Sequence, residues 1–415
     1  MSYMQVIGKR AKEAKKSIAY LSQEEKTAAL LAVADALEEK EAEIMTGNRL
    51  DVEAAKAAGM KSSLIDRMYL DEARIAAMAE GLREISLLED PVGAFDEVKV
   101  RPNGLRIGKK RVPLGVVGII YESRPNVTAD AFGLCFKTNN VAVLRGSSDA
   151  INSNKAITSA IKLGLNRCKI SQDGIILVED TSYEVADEMM KLNEYLDVLI
   201  PRGGAGLINR VVENSTVPTI ETGTGNCHVF VDRFADQEMA VNIIENAKTQ
   251  RLGVCNACES LVIDREIASQ VLPKIVARLA GHGIEIRGDE EARKISPELV
   301  KATADDWGSE YLDGIISVKI VGDVHEGIAH INEYNTGHSE TIVTNHLEHA
   351  DLFQERVDAA AVYVNASTRF TDGCEFGYGA EIGISTQKLH ARGPMGLAAL
   401  TTTKFVIFGN GQIRK

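Results

Sequence analysis

Apolar positions near the start of the chain recur at helical spacing, as at Leu30, Val33, Ala34 and Leu37, and the stretch from Gln5 to about Leu88 is dominated by Ala, Glu, Lys and Leu. It predicts several consecutive helices. The pattern then turns extended: short apolar-polar runs at 97–100 and 105–107 flank Pro102-Asn103-Gly104, a turn tripeptide that predicts a hairpin. Beyond it, short branched runs at 116–121, 141–144, 175–178 and 198–200 alternate with helix-like segments such as 153–165 and 183–192, the signature of parallel βαβ units. A second alternating block opens at 229–231 and continues through a helix at 236–250 with Met239, Ala240, Ile243, Ile244 and Ala247 on one face, a strand at 261–263 and a helix at 267–279. This block reads as a separate α/β domain. The tail from Phe376 is glycine-rich and then β-prone at 404–408, which suits a strand that leaves the domain body to pair with a neighbouring subunit.

Composition narrows the function. At 415 residues, 45% hydrophobic and 26% charged, the chain is long enough for two or three domains with their own cores. Its 47 basic and 59 acidic residues give a net charge of −12 with no basic block, so nucleic acid is excluded as a main partner. The same surplus repels small anions at long range, so an anionic ligand would need local cations. No apolar run reaches the ~18 residues of a membrane span and the amino terminus is polar, which points away from a membrane and toward the cytoplasm. Six cysteines are too sparse for a disulfide framework and are read as thiols, one of them reactive.

Four motifs carry candidate chemistry. Arg202-Gly203-Gly204-Ala205-Gly206 sets glycines between a strand and a helix, where the backbone can approach a pyrophosphate at a helix amino terminus. Asn209 stands where the third small residue of a dinucleotide fingerprint belongs, so a plain tight turn competes. Leu144-Arg145-Gly146-Ser147-Ser148 closes another strand at its carboxyl end; a cation and two hydroxyls without a carboxylate suit a 2′-phosphate, and hence NADPH over NADH, against a capping serine pair beside a surface arginine. In Cys255-Asn256-Ala257-Cys258 a single nucleophile is favoured over a metal or redox pair. Zinc would need Cys227-His228, whose side chains alternate faces in a probable strand, and a helix precedes the motif where a redox dithiol would have a strand. A buried inert thiol is the bland alternative, and because the loop follows a helix, no helix dipole lowers the thiol pKa. Glu221, opening Thr222-Gly223-Thr224-Gly225, is either a base or a capping carboxylate.

Glu221 followed by Cys255, together with the strand–Arg–Gly–Ser–Ser turn, resembles the aldehyde dehydrogenase superfamily. Within it, PLGVVGIIYESRPNVTADAF (113–132), VAVLRGSSDAINSNKAI (141–157), IPRGGAGLI (200–208), ETGTGNCHVFVD (221–232), NAKTQRLGVCNA (246–257), EYLDGIISVKIV (310–321), INEYNTGHSETI (331–342) and RFTDGCEFGYGAEIGIST (369–386) are similar to the gamma-glutamyl phosphate reductase family, so the likeness spans almost the whole chain. The resemblance implies an aldehyde dehydrogenase-like α/β fold. Its parts would be a Rossmann-type NADP-binding domain (1–95 and 114–223), a second α/β catalytic domain (224–388) and a small β oligomerisation arm (96–113 and 402–415). It implies Cys255 as nucleophile and Glu221 as general base. Arg145, Ser147 and Ser148 would lie near the adenosine ribose, with Gly203, Gly204 and Gly206 in the cofactor loop and Glu310 on the nicotinamide ribose. Arg124, Asn126, His338 and Arg369 would face the substrate's phosphate and α-carboxylate. Leu252 departs from the proline expected in the nucleophile loop, and the oxyanion-hole asparagine has no clean counterpart, an ungapped count reaching Glu122 with Asn126 close by.

The activity so implied is NADPH-dependent reduction of L-glutamate 5-phosphate to L-glutamate 5-semialdehyde and phosphate, in proline biosynthesis. It would run through a Cys255 thioester, with the Cys255 N–H as one of two oxyanion donors worth ~3 kcal/mol each. The implied partners are the acyl phosphate, the kinase that makes it and further copies of the chain in a homo-oligomer; no metal is expected. Two readings compete: a hydrolytic NAD(P)-dependent aldehyde dehydrogenase and a catalytically silent nucleotide-binding protein.

Overall fold

The computed structural model describes residues 1–414. The described chain divides into two compact units: residues 1–221 with 377–383 and 395–414, and residues 222–376 with 384–394. The first unit opens with helices α1 (Tyr3–Ile18), α2 (Gln23–Glu39), α3 (Glu41–Ala57), α4 (Ser62–Met68) and α5 (Glu72–Leu87). Ser2 and Ser22 start α1 and α2 through capping boxes with Gln5 and Glu25, each cap contributing about 1 kcal/mol. Leu30, Val33, Ala34 and Leu37 of α2 are fully buried, as their spacing requires. Strands β1 (Phe95–Val100) and β2 (Arg106–Pro113) form the expected antiparallel hairpin, and Gly104 in its turn has φ 86°, open to glycine at no steric cost.

The βαβ region follows as β3 (Val116–Tyr121), α6 (Asn126–Lys137), β4 (Val141–Gly146), α7 (Ile151–Arg167), β5 (Ile175–Leu177), α8 (Tyr183–Met190), β6 (Val198–Arg202) and α9 (Ala205–Asn214). Its four strands are parallel in the order β5-β4-β3-β6. The chain steps outward from β3 to β5 and then returns to β3's other side, so the switch point of the sheet lies between β3 and β6. Every residue of β3 is buried, which is why it reads as an unbroken apolar run.

The second unit contains β7 (Cys227–Val231), α10 (Gln237–Thr249), β8 (Cys258–Asp264), α11 (Arg265–Ala280), β9 (Glu285–Gly288), α12 (Glu290–Ile295), β10 (Val300–Lys301), β11 (Ile315–Val321), α13 (Val324–Tyr334), β12 (Ser339–Val343), α14 (Leu347–Arg356) and β13 (Ala361–Val364). These strands make one parallel sheet in the order β10-β9-β11-β8-β7-β12-β13. Strand alternation sends Val229 and Val231 to a core with Ile244, Val271 and Leu272 of α10 and α11, and sends Phe230 to another with Ile328, Ile331 and Phe353 of α13 and α14. Each such side chain contributes about 2 kcal/mol by leaving water. Strand β8 starts already at Cys258, ahead of the expected 261–263. The extension holds a charged residue, Glu259, which is buried because Lys248 pairs with it and the Leu312 N–H donates to its Oε1 at 3.0 Å. After the short strands β14 (Ile384–Ser385) and β15 (Gly393–Pro394), the last strand, β16 (Thr401–Phe408), pairs with β2 and completes a three-stranded antiparallel sheet in the first unit. Among the described residues no helix is long and apolar enough to cross a membrane.

Candidate active site

Strands β3, β4 and β6 end side by side, and the turns that follow them are tied together. The Glu122 N–H donates to the Arg202 carbonyl at 3.1 Å, and the Ser123 N–H to Ser147 Oγ at 3.1 Å. The Gly204 N–H, at the start of α9, donates to Glu122 Oε2 at 2.8 Å. A Cβ on Gly203 would lie 2.5 Å from that same carboxylate oxygen, which is the local reason for glycine there. Gly206 has no neighbour within 4 Å of where its Cβ would be, so the space beside the first turn of α9 is open. Ser148 is exposed at the next turn.

Arg145 is turned toward the protein. Its Nη2 donates to the carbonyls of Thr181 at 2.5 Å and Ser182 at 3.3 Å, while its Nε is buried without a partner among the described residues. Arg124 is exposed just after β3. Asn126 opens α6 and gives its Nδ2 to Asp130 Oδ2 at 3.0 Å; burial pushes the Asp130 carboxyl up to about 6, opposed by that bond and by the charge of Arg202. Asn126 is thus engaged within its own helix.

In the second unit a different set of groups gathers at the amino edge of the sheet, where β7, β8 and β12 begin. Cys255 is half-buried in the loop between α10 and β8. Gly225 presses on its backbone so closely that a Cβ there would stand 1.4 Å from the Cys255 carbonyl oxygen. Glu310 fixes Gly225 from the other side, its Oε1 accepting the Gly225 N–H at 2.7 Å; burial raises the Glu310 carboxyl and this bond opposes the rise. The Cys227 thiol donates to the Cys255 carbonyl at 3.2 Å and lies 3.7 Å from His338 Nδ1. Burial, with the nearby Glu340 and Cys255 charges, holds Cys227 well above the usual thiol range, so it serves as a donor.

His338 is completely buried, and burial lowers it to about 4, so it is neutral at physiological pH. Its Nδ1 meets Ser339 Oγ at 2.7 Å, and a hydroxyl chain continues through Thr371 at 2.6 Å to Tyr363 at 2.7 Å. His338 Nε2 has no partner among the described residues. Cys258, the other cysteine of the CxxC, is buried in the core beneath β8 and donates to the Ser260 carbonyl at 3.3 Å.

Charge at this edge comes from side chains. The carboxyl end of α10 leads into the loop, so its backbone dipole is unfavourable to a thiolate. The positive groups are Arg369, on the short turn Thr368–Phe370, and the exposed Arg251. Burial lowers the Arg369 pKa, while the Cys255 and Asp372 charges raise it and the Arg251 charge lowers it, so Cys255, a second cation and a carboxylate all lie within its electrostatic reach. No carboxylate forms an ion pair with either arginine among the described residues. Arg251 was visible in the sequence four positions before Cys255 but carried no signal of its own there. Gln250, Asn256 and Cys227 acquire their roles only through contacts with distant segments.

The candidate residues therefore fall into two groups: Arg124, Asn126, Arg145, Ser147, Ser148 and Gly203 to Gly206 in the first unit, and Cys255, Glu310, His338 and Arg369 in the second. Half-buried Glu221 is the last residue of the first unit and joins them along the chain.

A thiol within electrostatic reach of an arginine at one sheet and an open helix amino terminus at another are the equipment of a dehydrogenase that works through an enzyme thiol, and the model of the aldehyde dehydrogenase family matches residues 4–305 and 299–406. The chain belongs to that family. Gamma-glutamyl phosphate reductase of Lachnospira eligens is 60% identical over 415 residues, the whole of both chains. The crystal structure of gamma-glutamyl phosphate reductase from Thermotoga maritima matches with a TM-score of 0.98 at 50% identity, covering 100% of each chain. The chain's branch of the family is accordingly that of the gamma-glutamyl phosphate reductases, which are oxidoreductases. An acetylating aldehyde dehydrogenase from Geobacillus thermoglucosidasius shares the fold at 18% identity, with a TM-score of 0.71 over 99% of this chain and 97% of that one.

Proposed function

We propose that the chain reduces L-glutamate 5-phosphate to L-glutamate 5-semialdehyde and phosphate with NADPH, as a step of proline biosynthesis in the cytoplasm. The observation that carries this reading is the half-buried Cys255 within electrostatic reach of Arg369, whose guanidinium is held by the amide oxygens of Gln250 and Asn256 and forms no ion pair among the described residues. An acidic protein that handles a doubly anionic acyl phosphate needs such local cations.

In the first half, Cys255 Sγ attacks the acyl carbon; a C–S bond forms, the C–O bond to phosphorus breaks, and phosphate leaves with the electron pair, giving a thioester. Arg369 and Arg251 receive the anionic groups, and His338, neutral and tied to Ser339, does not compete with them for anions. The thioester carbonyl becomes negative in both halves and is met by the Cys255 N–H and a second donor. In the second half the Cys255 thiolate is the leaving group as the aldehyde forms.

The carboxyl edge of the β5-β4-β3-β6 sheet fits a dinucleotide. Glu122 takes the Gly204 N–H, but the N–H groups of Ala205 and Gly206 have no partner among the described residues and face open space beside the switch point. Those amides and the turn bearing Ser147, Ser148 and Arg145 would hold the cofactor in the first unit. Bound there, NADPH supplies the hydride. Glu221 is an auxiliary base, since phosphate, not water, would attack the thioester in the reverse reaction.

The test is run in reverse. Semialdehyde and NADP⁺ should give NADPH only when phosphate is added. Full-rate NADPH formation without phosphate would instead mark a hydrolytic dehydrogenase, and an unchanged rate in Cys255→Ala would remove the thioester altogether. The β1-β2-β16 sheet, with Val98, Val100, Phe405 and Ile407 exposed, is proposed as the surface that joins copies of the chain. A monomer by light scattering would exclude that role.

A further inference from the structure

The nucleophile loop and the segment carrying Arg369 are fastened together by one side chain that neither motif advertises. Asn256, immediately after Cys255, is only 4% exposed. Its Nδ2 donates to the carbonyls of Arg369 at 3.3 Å and Thr371 at 3.0 Å, and its Oδ1 accepts from Arg369 Nη1. Its own backbone carbonyl accepts the Thr368 hydroxyl at 2.7 Å. Gln250 completes the hold, its Oε1 accepting Arg369 Nε at 2.8 Å. Two neutral amide oxygens thus take Nε and Nη1, and Nη2 has no hydrogen-bond partner among the described residues.

Neutral acceptors are the informative choice. Arg83, Arg233, Arg265, Arg278 and Arg287 are each paired with carboxylates, which fix an arginine and cancel its charge together. An amide fixes direction and leaves the charge intact. The Asp372 charge reaches Arg369 without forming an ion pair with it, so this half-buried cation is directed by amides and its N–H groups are not taken by a carboxylate, as an anion-binding arginine requires.

We propose that Asn256 is a positioning residue for substrate recognition, holding Arg369 beside Cys255 so that the guanidinium receives a carboxylate or phosphate oxygen while the thiol reaches the acyl carbon. The proposal rests on the reading of Arg369 as a substrate cation. It couples the two functions of the site: the residue that follows the nucleophile also aims the anion receptor, so displacement of the loop disturbs both together.

The experiment uses two small alkylating agents that differ in charge. Iodoacetate is an anion and iodoacetamide its neutral isostere, so the ratio of their rates of Cys255 modification in the intact enzyme reports the local positive field. Each rate is followed by loss of activity, with labelling at Cys255 checked by peptide mass. Asn256→Ala should lower the iodoacetate-to-iodoacetamide ratio about tenfold with little change in the iodoacetamide rate. It should also raise KM for the semialdehyde more than it lowers kcat. Asn256→Asp, which keeps an acceptor but neutralises Arg369, should lose the preference for iodoacetate too, and it serves where the alanine variant fails to fold. Asn256→Ala combined with Arg369→Ala should fall no further than Arg369→Ala alone.

An unchanged ratio in both Asn256 variants, with Arg369→Ala depressed, overturns the positioning role. An equal fall in both alkylation rates does so as well, because it marks a loop that has merely loosened. An unchanged ratio in Arg369→Ala overturns the underlying reading of Arg369 instead.

Discussion

Gly225→Ala isolates the contact on which the nucleophile rests. The new Cβ would lie 1.4 Å from the Cys255 carbonyl oxygen, 2.3 Å from its carbonyl carbon and 2.7 Å from its Cα, all backbone atoms that cannot swing aside. Ordinary contacts begin near 3.4 Å, so the strand entry or the nucleophile loop must move by roughly 2 Å. Gly225 is not among the glycines with positive φ, so alanine can adopt its backbone and retain the N–H bonded to Glu310; the perturbation is steric alone. A misplacement of about 1 Å at a reacting group costs about a hundredfold in rate, or about 2.7 kcal/mol of barrier. Overpacking adds roughly 1–3 kcal/mol of destabilisation. The assay is kcat/KM for phosphate-dependent oxidation of the semialdehyde, alongside a thermal melt. The variant should lose at least two orders of magnitude in kcat and melt a few degrees lower. A kcat within threefold of the parent would show that the loop yields freely and that the contact does not position Cys255.

Three further outcomes follow from the same geometry. Arg251→Ala should raise KM for phosphate about three- to tenfold with kcat nearly unchanged, and a KM that stays put would remove Arg251 from the site. Lys248 and Glu259 are both completely buried, so Lys248→Met strands a carboxylate and should cost roughly 3 kcal/mol in urea unfolding followed by the fluorescence of the single Trp307, whereas adding Glu259→Gln should recover part of the loss; additive losses would contradict the pairing. His338 is lowered by burial from 6.5 to about 4, so the unfolded chain binds its proton first and the stability His338 contributes is lost as pH falls from 6.5 toward 4. The gap in unfolding free energy between the parent and His338→Asn should shrink by roughly 1 kcal/mol per pH unit over that range, and a constant gap would show that His338 is not held neutral.

Much of this molecule is legible in its sequence because its elements are regular. The run at 116–121 is fully buried and so uninterruptedly apolar, and the helix expected at 236–250 is observed at 237–249 with Asp236 as its cap. Where polarity and burial part company the sequence misleads: β8 begins inside what looked like a loop, since Glu259 reads as a surface charge until Lys248 is found beside it. Cys255 stood out by motif, and Glu310 only through the family resemblance. What the motifs could not convey was orientation. The motif placed Arg145 at the end of β4 but not the two backbone carbonyls that its Nη2 meets there. Cys258, adjacent in the CxxC, turns into the core, while Cys227, far away in sequence, touches the Cys255 backbone. Such facts belong to the pairing of distant segments, and a linear pattern of polar and apolar positions does not encode them.

The return of β16 to β2 has a consequence for how the protein is made. Arg111 on β2 and Thr401 on β16 hydrogen-bond at 3.1 Å although 290 residues separate them. At a synthesis rate of roughly 5–20 residues per second, β2 waits tens of seconds with one edge open before its partner exists. An open edge is a template for pairing with another nascent chain. Lys109, Lys110 and Arg111 stand on that edge; Arg111 is paired with Asp96 of β1, which leaves the two lysines to oppose the same strand of another nascent chain. Replacing Lys109 and Lys110 with uncharged residues should therefore yield aggregated nascent protein even where the finished fold tolerates the change.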